Sequence, residues 1–535
     1  MNTTLQRVDL SEQDIRQALA AAEPLLAPAV FKPLESVAQA YLTVLHILDA
    51  KNMTIARLRK MVFGPTGEKS RHVLPQTQGS ARADKPKVPR KPPPGHGRNG
   101  QADYPTASVE TVPHHRLEPG QRCPGCRQGR VYDQDQRPGI LVRVTGQPPL
   151  AADVYHLQKL RCNACGDIFE ARPPEGVGPD KYDETAASMI ALFKYGGGFP
   201  WTRLGKLQNC LGIPLPPSTQ WDIVQDACRA IEPAFEELQH QAAQGKVIHN
   251  DDTAMKILEH MGKRRAAARQ GSGKTDADRS GIFTSGIVSR LKGFRIALFF
   301  TGLKHAGENL AALLQARERT RRRPIQMCDA LSRNLPKPLK TILANCLAHG
   351  RRQFVELVNN FPAECAYILR VLARVYQDDA IAQKRNLSDA ERLKFHQLRS
   401  RPRMEELHDW MLAQFEEKKV EPNSSLGQAI TYMLKHWEAL TLFLHKAGAP
   451  LDNNLCERAL KMAILHRKNS LFYKTDNGAR VGDLYMSLIH TCQLNGADPF
   501  DYLTQLQRHA KIVRAHPDRW LPWNYRRQTS RPPPR

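Results

Sequence analysis

No stretch of this 535-residue chain comes near the roughly 20 consecutive apolar residues that span a bilayer, and its amino terminus lacks the basic start and apolar core of a secretion signal. A cytoplasmic protein with no membrane partner is the expectation. Acidic side chains are in short supply: 53 Asp and Glu stand against 78 Lys and Arg, a net charge of +25 spread along the sequence. That excess is more than solubility requires and points to a polyanion, nucleic acid before an anionic membrane surface. No internal repeat is evident, which sets repeat arrays aside. The 11 cysteines are an odd number in a long chain, so metal binding or burial is favoured over a disulfide framework. A complete phosphate-binding loop is also missing. Gly271-Ser-Gly-Lys274-Thr275 invites that reading, but Ala268 stands where the motif needs Gly, and Lys263, Arg264, Arg265 and Arg269 make the stretch a basic surface loop.

What is present reads as several modules, since the length exceeds the roughly 100–200 residues of one domain. Leu34, Tyr41, Leu48, Ile55 and Val62 recur every seven positions, so residues 1–69 are expected to be helical, with a coiled coil that would give a homodimer or higher oligomer. Residues 70–105 are rich in Pro, Gly and basic residues and read as a flexible linker. Residues 106–176 read as a small β-rich metal module, with an alternating run at Ile140-Leu141-Val142-Arg143-Val144. Helical segments at Ala186–Tyr195, Trp201–Leu211 and Ser218–Ile231 give 177–243 a helix-turn-helix-like spacing suited to DNA. Strands at Val247–Asp251, Ile282–Ser289, Arg295–Thr301 and Pro324–Asp329, with a helix from Ala306 to about Arg317, make 244–353 the first part of a mixed α/β core. An all-helical insertion over 354–447 precedes the second part, 448–506, and a basic tail fills 507–535. The fold class is thus a multi-domain α+β protein.

Cys123-Pro-Gly-Cys126 and Cys162-Asn-Ala-Cys165 each bring two thiolates within one turn, and four thiolates close a tetrahedron around structural Zn²⁺. Asp251 and Asp252 end one apolar strand, Asp329 ends another, and Glu457 sits in a first helical turn after Asp452-Asn-Asn454. Unpaired acids at buried sheet ends are costly unless they hold cations, and oxygen ligands suit Mg²⁺, two of which can serve in-line phosphoryl transfer. A capping glutamate is the other reading of Glu457. His349, Arg351, Arg352, Arg458, Lys461, Arg467 and Lys468 place cations close in sequence to these acids, as a phosphodiester backbone requires.

The chain resembles the transposase of the insertion-sequence-66 family through nearly its whole length. The resemblance rests on Arg57-Leu-Arg-Lys-Met-Val-Phe-Gly64, Gly95-His-Gly-Arg98, the two Cys pairs, His249-Asn-Asp-Asp-Thr253, Asp329 followed by Asn345-Cys-Leu-Ala-His-Gly-Arg-Arg352, and Asp452-Asn-Asn-Leu-Cys-Glu-Arg-Ala-Leu460 with Arg467-Lys-Asn469. It implies a ribonuclease-H-like core, interrupted by the helical insertion, in which Asp251, Asp329 and Glu457 bind two Mg²⁺ or Mn²⁺ ions. The implied activity is cleavage of transposon ends and strand transfer into target DNA, with small accessory proteins of the same element as partners. Two departures stand out: Asp252 and Ala254 replace the family's Glu and Pro, and Ala330-Leu-Ser-Arg-Asn334 follows Asp329 in place of a Gly-Tyr pattern. A ribonuclease-H-like nuclease without strand transfer and a non-catalytic DNA-binding protein of the element are the competing readings.

Overall fold

The computed structural model describes residues 12–27, 30–39, 109, 112, 116–132, 149–161, 168–178, 180–261, 281–337 and 341–529. The seven-residue seam beyond Val37, the 70–105 linker, the 140–144 run, Cys162, Cys165 and the basic loop around Lys274 lie outside the described residues. Contacts divide the chain into two compact units, residues 76–149 and the remainder. Glu12–Ala22 and residues 30–39 are helical, and Leu34 and Val37 are exposed there.

In the larger unit, Lys159–Arg161 (β1) pairs antiparallel with Ile168–Glu170 (β2). Five strands form one mixed sheet: Val247–Ala254 (β3), Phe283–Leu291 (β4), Phe294–Gly302 (β5), Ile325–Cys328 (β6) and Ile342–Asn345 (β7). Their order is β5-β4-β3-β6-β7, with β3, β4 and β5 antiparallel and β6 and β7 parallel to β3. The β4–β5 turn consists of Lys292 and Gly293, both at positive φ (50° and 89°), the backbone that matches the twist of a two-residue hairpin. Four of these strands follow the apolar runs of the sequence, whereas β7 was not anticipated.

Two hydrophobic clusters hold the unit together. In the first, Ile248 and Phe299 of the sheet pack with Ile190, Leu204, Val224 and Ile231 and with Leu484 and Leu488. The helices Glu184–Ala191, Trp201–Cys210 and Pro217–Ala243 of the 177–243 region therefore share the sheet's core. The last of them also outruns the expected Ser218–Ile231, continuing through Pro233 to Ala243. The second cluster joins Val247, Met327 and Ala344 to the insertion helices Pro362–Lys384, Arg401–Glu416 and Ser425–Lys435 through Leu369, Leu407 and Ile430. Within the insertion, Asp379 is paired with Arg392 and His396, and Asp378 with Arg399 and Arg403, so both adjacent acids are neutralised where they are buried.

β5 is one of the two edge strands of the sheet, and the helix Asp476–Leu494 covers it. Along that helix Asp483, Ser487, Thr491 and Asn495 accept the backbone N–H groups of Thr301, Phe299, Ala297 and Arg295 at 2.6, 3.0, 3.1 and 3.1 Å. Four helical residues rise about 6 Å and two strand residues about 6.6 Å, so an i, i+4 stripe of short polar side chains stays in step with every second residue of the strand. An edge that could recruit another strand is thereby closed from within.

Asp483 has a cost in this role. Burial pushes its carboxyl up to about 7, against the pull of the Thr301 N–H and hydroxyl. Between the unfolded carboxylate range near 4 and that value, the native state holds a proton the unfolded chain has lost, so stability falls as pH rises through this window. Asp483→Asn keeps an acceptor for Thr301 and does not titrate. The melting temperature of the variant relative to the parent should therefore rise from pH 5 to pH 7.5, and a constant difference would show that Asp483 ionises normally.

Candidate active site

The parallel register of β3 and β6 pairs Val247 with Ile325, Ile248 with Gln326 and His249 with Met327. Carried two residues further, it sets Asp329, the residue after β6, opposite Asp251. The third acid comes from the helix Asn454–Ser470, which crosses β3 and β4 with Glu457 in its first turn. The convergence is visible in the electrostatics: the Asp251 carboxyl is pushed up to about 7, by burial first and then by the charges of Asp329, Asp252 and Glu457. Like charges this close need a cation to remain ionised together.

Asp251 is paired across the ladder with Gly286 of β4, and this glycine sets the approach of the helix. A Cβ there would lie 2.9 Å from Leu460 Cγ and 3.4 Å from Cys456 Sγ, while the Cys456 thiol donates to the Gly286 carbonyl at 3.2 Å. A lone glycine inside a strand is the sequence signal for such close contact. Asn453, fully buried, locks the helix start: Nδ2 donates to the Asn250 carbonyl at 3.1 Å, N–H donates to Cys346 Sγ at 3.2 Å, and Oδ1 meets His249 Nδ1 at 3.1 Å. Because Oδ1 only accepts, His249 carries its proton on Nδ1, and burial holds that imidazole neutral, down to about 4.

Asp329 is oriented by the turn that follows it. Its Oδ1 accepts from the Asn334 side-chain amide and from the Leu331 N–H at 3.2 Å. The Asn334 carbonyl in turn accepts from Asn250 at 2.8 Å and Gln326 at 2.7 Å, tying the turn to both central strands. Glu457 makes no hydrogen bond back to the helix start, unlike a capping glutamate. Its Oε1 is buried without a hydrogen-bond partner, as is His349 Nδ1, 3.7 Å away. Cys346 lies within 4.8 Å of both as a third donor, but burial pushes its thiol up to about 12 and it already accepts from Asn453. His349 and Glu457 are thus the better ligands on this side.

Alternation along β3 turns Asp252 away from Asp251. The Asp252 carboxylate is almost wholly enclosed, with Oδ2 3.0 Å from His305 Nδ1 and Oδ1 3.3 Å from Arg333. Of the two adjacent acids, it is Asp251 that shares an edge with Asp329 and Glu457, while Asp252 is engaged by His305 and the Arg333 guanidinium. Among the basic residues singled out in the sequence, Arg458, Lys461 and Lys468 are exposed on the Glu457 helix, and Arg351 and Arg352 are half-buried on the helix Leu347–Leu357. Arg467 is committed inward, to Thr253 Oγ1 at 3.1 Å and the Ala254 carbonyl.

In the smaller unit Cys123 and Cys126 flank a tight turn, closed by Cys123 N–H on the Gly129 carbonyl at 2.8 Å and Arg127 N–H on the Cys123 carbonyl at 2.9 Å, with Arg127 at φ 57°. Backbone N–H groups of Gly129 and Gln128, with the Cys123 side chain, hold the Cys126 thiol below its ordinary value. That environment favours a thiolate ligand.

Gly286→Ala tests the close approach. It should destabilise the chain by about 1–3 kcal/mol in urea unfolding through overpacking, and trimming the facing side chain with Leu460→Ala in the same molecule should recover part of that loss. Two losses that simply add would mean that no close contact exists there.

The family described as "Transposase IS66 family" matches residues 181–481. The uncharacterized protein y4hP of Sinorhizobium fredii is 27% identical over 404 residues, covering 70% of this chain and 68% of that protein. The uncharacterized protein y4jD of the same organism is 35% identical over 190 residues, about a third of each chain (34% and 36%). No solved structure matches. Since the family match takes in more than half of the sequence, including all three acids, the chain belongs to the IS66 family of transposases.

Proposed function

We propose that the chain cuts the ends of its mobile element and joins them to target DNA, using Asp251, Asp329 and Glu457 to hold two divalent cations, Mg²⁺ or Mn²⁺. The observation that carries this reading is the meeting of acids from three distant segments at Asp251, whose carboxyl is raised to about 7 by burial and then by Asp329, Asp252 and Glu457. The strand order β5-β4-β3-β6-β7, antiparallel on one side of β3 and parallel on the other, supports a ribonuclease-H-like core. The three carboxylates offer oxygen donors that fit a hard cation, and His349 stands beside Glu457 as a nitrogen donor.

Bound there, such ions would activate the attacking oxygen and offset charge on the leaving one. The protein's own part is orientation. Asn334 fixes Asp329, Asn453 fixes the helix that brings Glu457, and Gly286 lets that helix approach Asp251. Exposed Arg458, Lys461 and Lys468 offer charge to phosphates along the same helix. Association into a dimer or larger assembly and small accessory proteins belong to the same reading.

Asp251→Asn, Asp329→Asn and Glu457→Gln should each abolish nicking and joining of element-end duplexes in Mg²⁺ while leaving duplex binding nearly intact. Asp252→Asn should keep measurable activity. Cleavage without joining by the parent would favour the nuclease reading, binding with no cleavage the non-catalytic one, and a robustly active Glu457→Gln would remove Glu457 from the site.

The Cys123 turn supports structural Zn²⁺ binding by Cys123 and Cys126; Cys162 and Cys165 as the other two ligands are the expectation of the sequence. Cys123→Ser or Cys162→Ser should lose one zinc per chain in elemental analysis, with melting of the remaining core little changed. Unaltered zinc content in both variants would sink the assignment.

A further inference from the structure

The helix that carries Glu457 buries one side, through Cys456, Ala459, Leu460, Ala463 and His466, and exposes Asn454, Arg458, Lys461, Leu465 and Lys468 at alternating steps of four and three residues. That spacing places the exposed residues on one face. Arg458, Lys461 and Lys468 form no salt bridge with a described residue, so this face is a positively charged rail that begins beside Glu457.

The rail ends in a strained apolar tip. Leu471 closes the helix at φ 68° and ψ −41°, and the Phe472 N–H donates to the Ser470 carbonyl at 2.8 Å. This is a γ-turn of the positive-φ kind, rare and unfavourable for a branched side chain. Its strain is not offset by burial, because Leu471 is 61% and Phe472 41% exposed.

The surroundings nevertheless fix the tip. Lys194 donates to Ser470 Oγ at 2.9 Å. Tyr473 is buried, stacked on His466 with ring centroids 4.5 Å apart, and its backbone bonds to Lys256 and Leu258, both at 2.9 Å. Those partners directly follow β3, to whose end Arg467 is also bonded. An apolar pair held in a strained turn on a rigid mount, next to the strand that carries Asp251, is arranged for something outside the molecule. The adjoining charge, with exposed Lys474, selects a polyanion that also offers an apolar surface.

We propose that Leu471 and Phe472 form a wedge that enters a base step of duplex DNA lying along the Glu457 helix. The fourteen residues from Glu457 to Leu471 rise about 20 Å, or about six base pairs at 3.4 Å each, so the opened step lies about that far from the phosphate at the three acids. Side chains such as Leu and Phe unstack and kink duplexes in this way, and the kink gives the backbone a closer fit to a basic surface. The inference rests on the DNA-cutting reading above.

The test uses the full chain and 40-base-pair duplexes taken from the DNA flanking its coding sequence, each with one 2-aminopurine at a successive position, in Ca²⁺ to prevent turnover. The parent should raise 2-aminopurine fluorescence severalfold at one or two adjacent positions about six base pairs from the cleaved phosphate mapped in Mg²⁺. The double variant Leu471→Asn/Phe472→Ala retains a residue that tolerates positive φ. It should melt like the parent, abolish the signal and bind the paired duplex about tenfold more weakly. A duplex with an abasic site at that position should restore its affinity. A fluorescence profile and affinity unchanged in the variant, or a parent that binds and cuts with no signal at any position beyond the cut, would overturn the wedge alone. A parent that neither binds nor cuts would overturn the proposed function and the wedge with it.

Discussion

Carboxylates repel one another, and burying them removes the water that would screen the repulsion. Asp251 shows the result, its carboxyl pushed up to about 7 by burial and then by Asp329 and its neighbours. Much of the structure around it keeps that unfavourable meeting in place without relieving it. The β3–β6 register fixes Asp329 opposite Asp251, and the helix over Gly286 brings Glu457 to the same edge. The supporting groups are mostly neutral: the amides of Asn250, Gln326, Asn334 and Asn453, the imidazole of His249 and the thiols of Cys346 and Cys456. They orient the acids through hydrogen bonds without adding a charge of their own.

Basic side chains appear on the other face of β3. There Asp252 is enclosed by His305 and Arg333, and Arg333 belongs to the same short turn as Asn334, which orients Asp329. Two adjacent aspartates thus have opposite electrostatic settings because a strand points successive side chains to opposite faces. The paired acid anchors the turn, and the turn holds the unpaired site. The insertion follows the same rule of pairing what is only structural, since Asp378 and Asp379 each meet two basic partners.

The parts of this arrangement that depend on local pattern were legible in the sequence. The apolar runs of β3, β4, β5 and β6 and the helix after Asp452 stand out because they are long or sharply bounded. β7 did not, because Ile342–Asn345 is only four residues long and pairs in parallel with one strand, leaving little alternation to read. The helix Pro217–Ala243 runs twelve residues past the expected end at Ile231, through Pro233, because tertiary packing of Ala234, Leu238 and Ala242 carries it on. The choice between Asp251 and Asp252 needs a three-dimensional neighbour, as does the role of Asn334. Gly286 did carry a signal, a glycine within a strand, whose meaning became definite only with Leu460 and Cys456 in place.

The Glu457 helix joins these considerations, since one element has a buried face, a basic face and both ends pinned to β3. Asn453 fixes its start to the Asn250 carbonyl, and Arg467 fixes its last turn to Thr253. A helix tied at two points to the strand that carries Asp251 cannot slide along it or swing away without breaking buried polar contacts, each of which is expensive to leave unmade. Whatever lies on its basic face is therefore indexed to the acids by the helical rise alone. The turn at Leu471 lies between that helix, which ends at Ser470, and Tyr473, whose N–H is bonded to the Lys256 carbonyl. The positive-φ turn sits between anchored segments, and it puts two apolar side chains in solvent at a distance from the acids set by the helix.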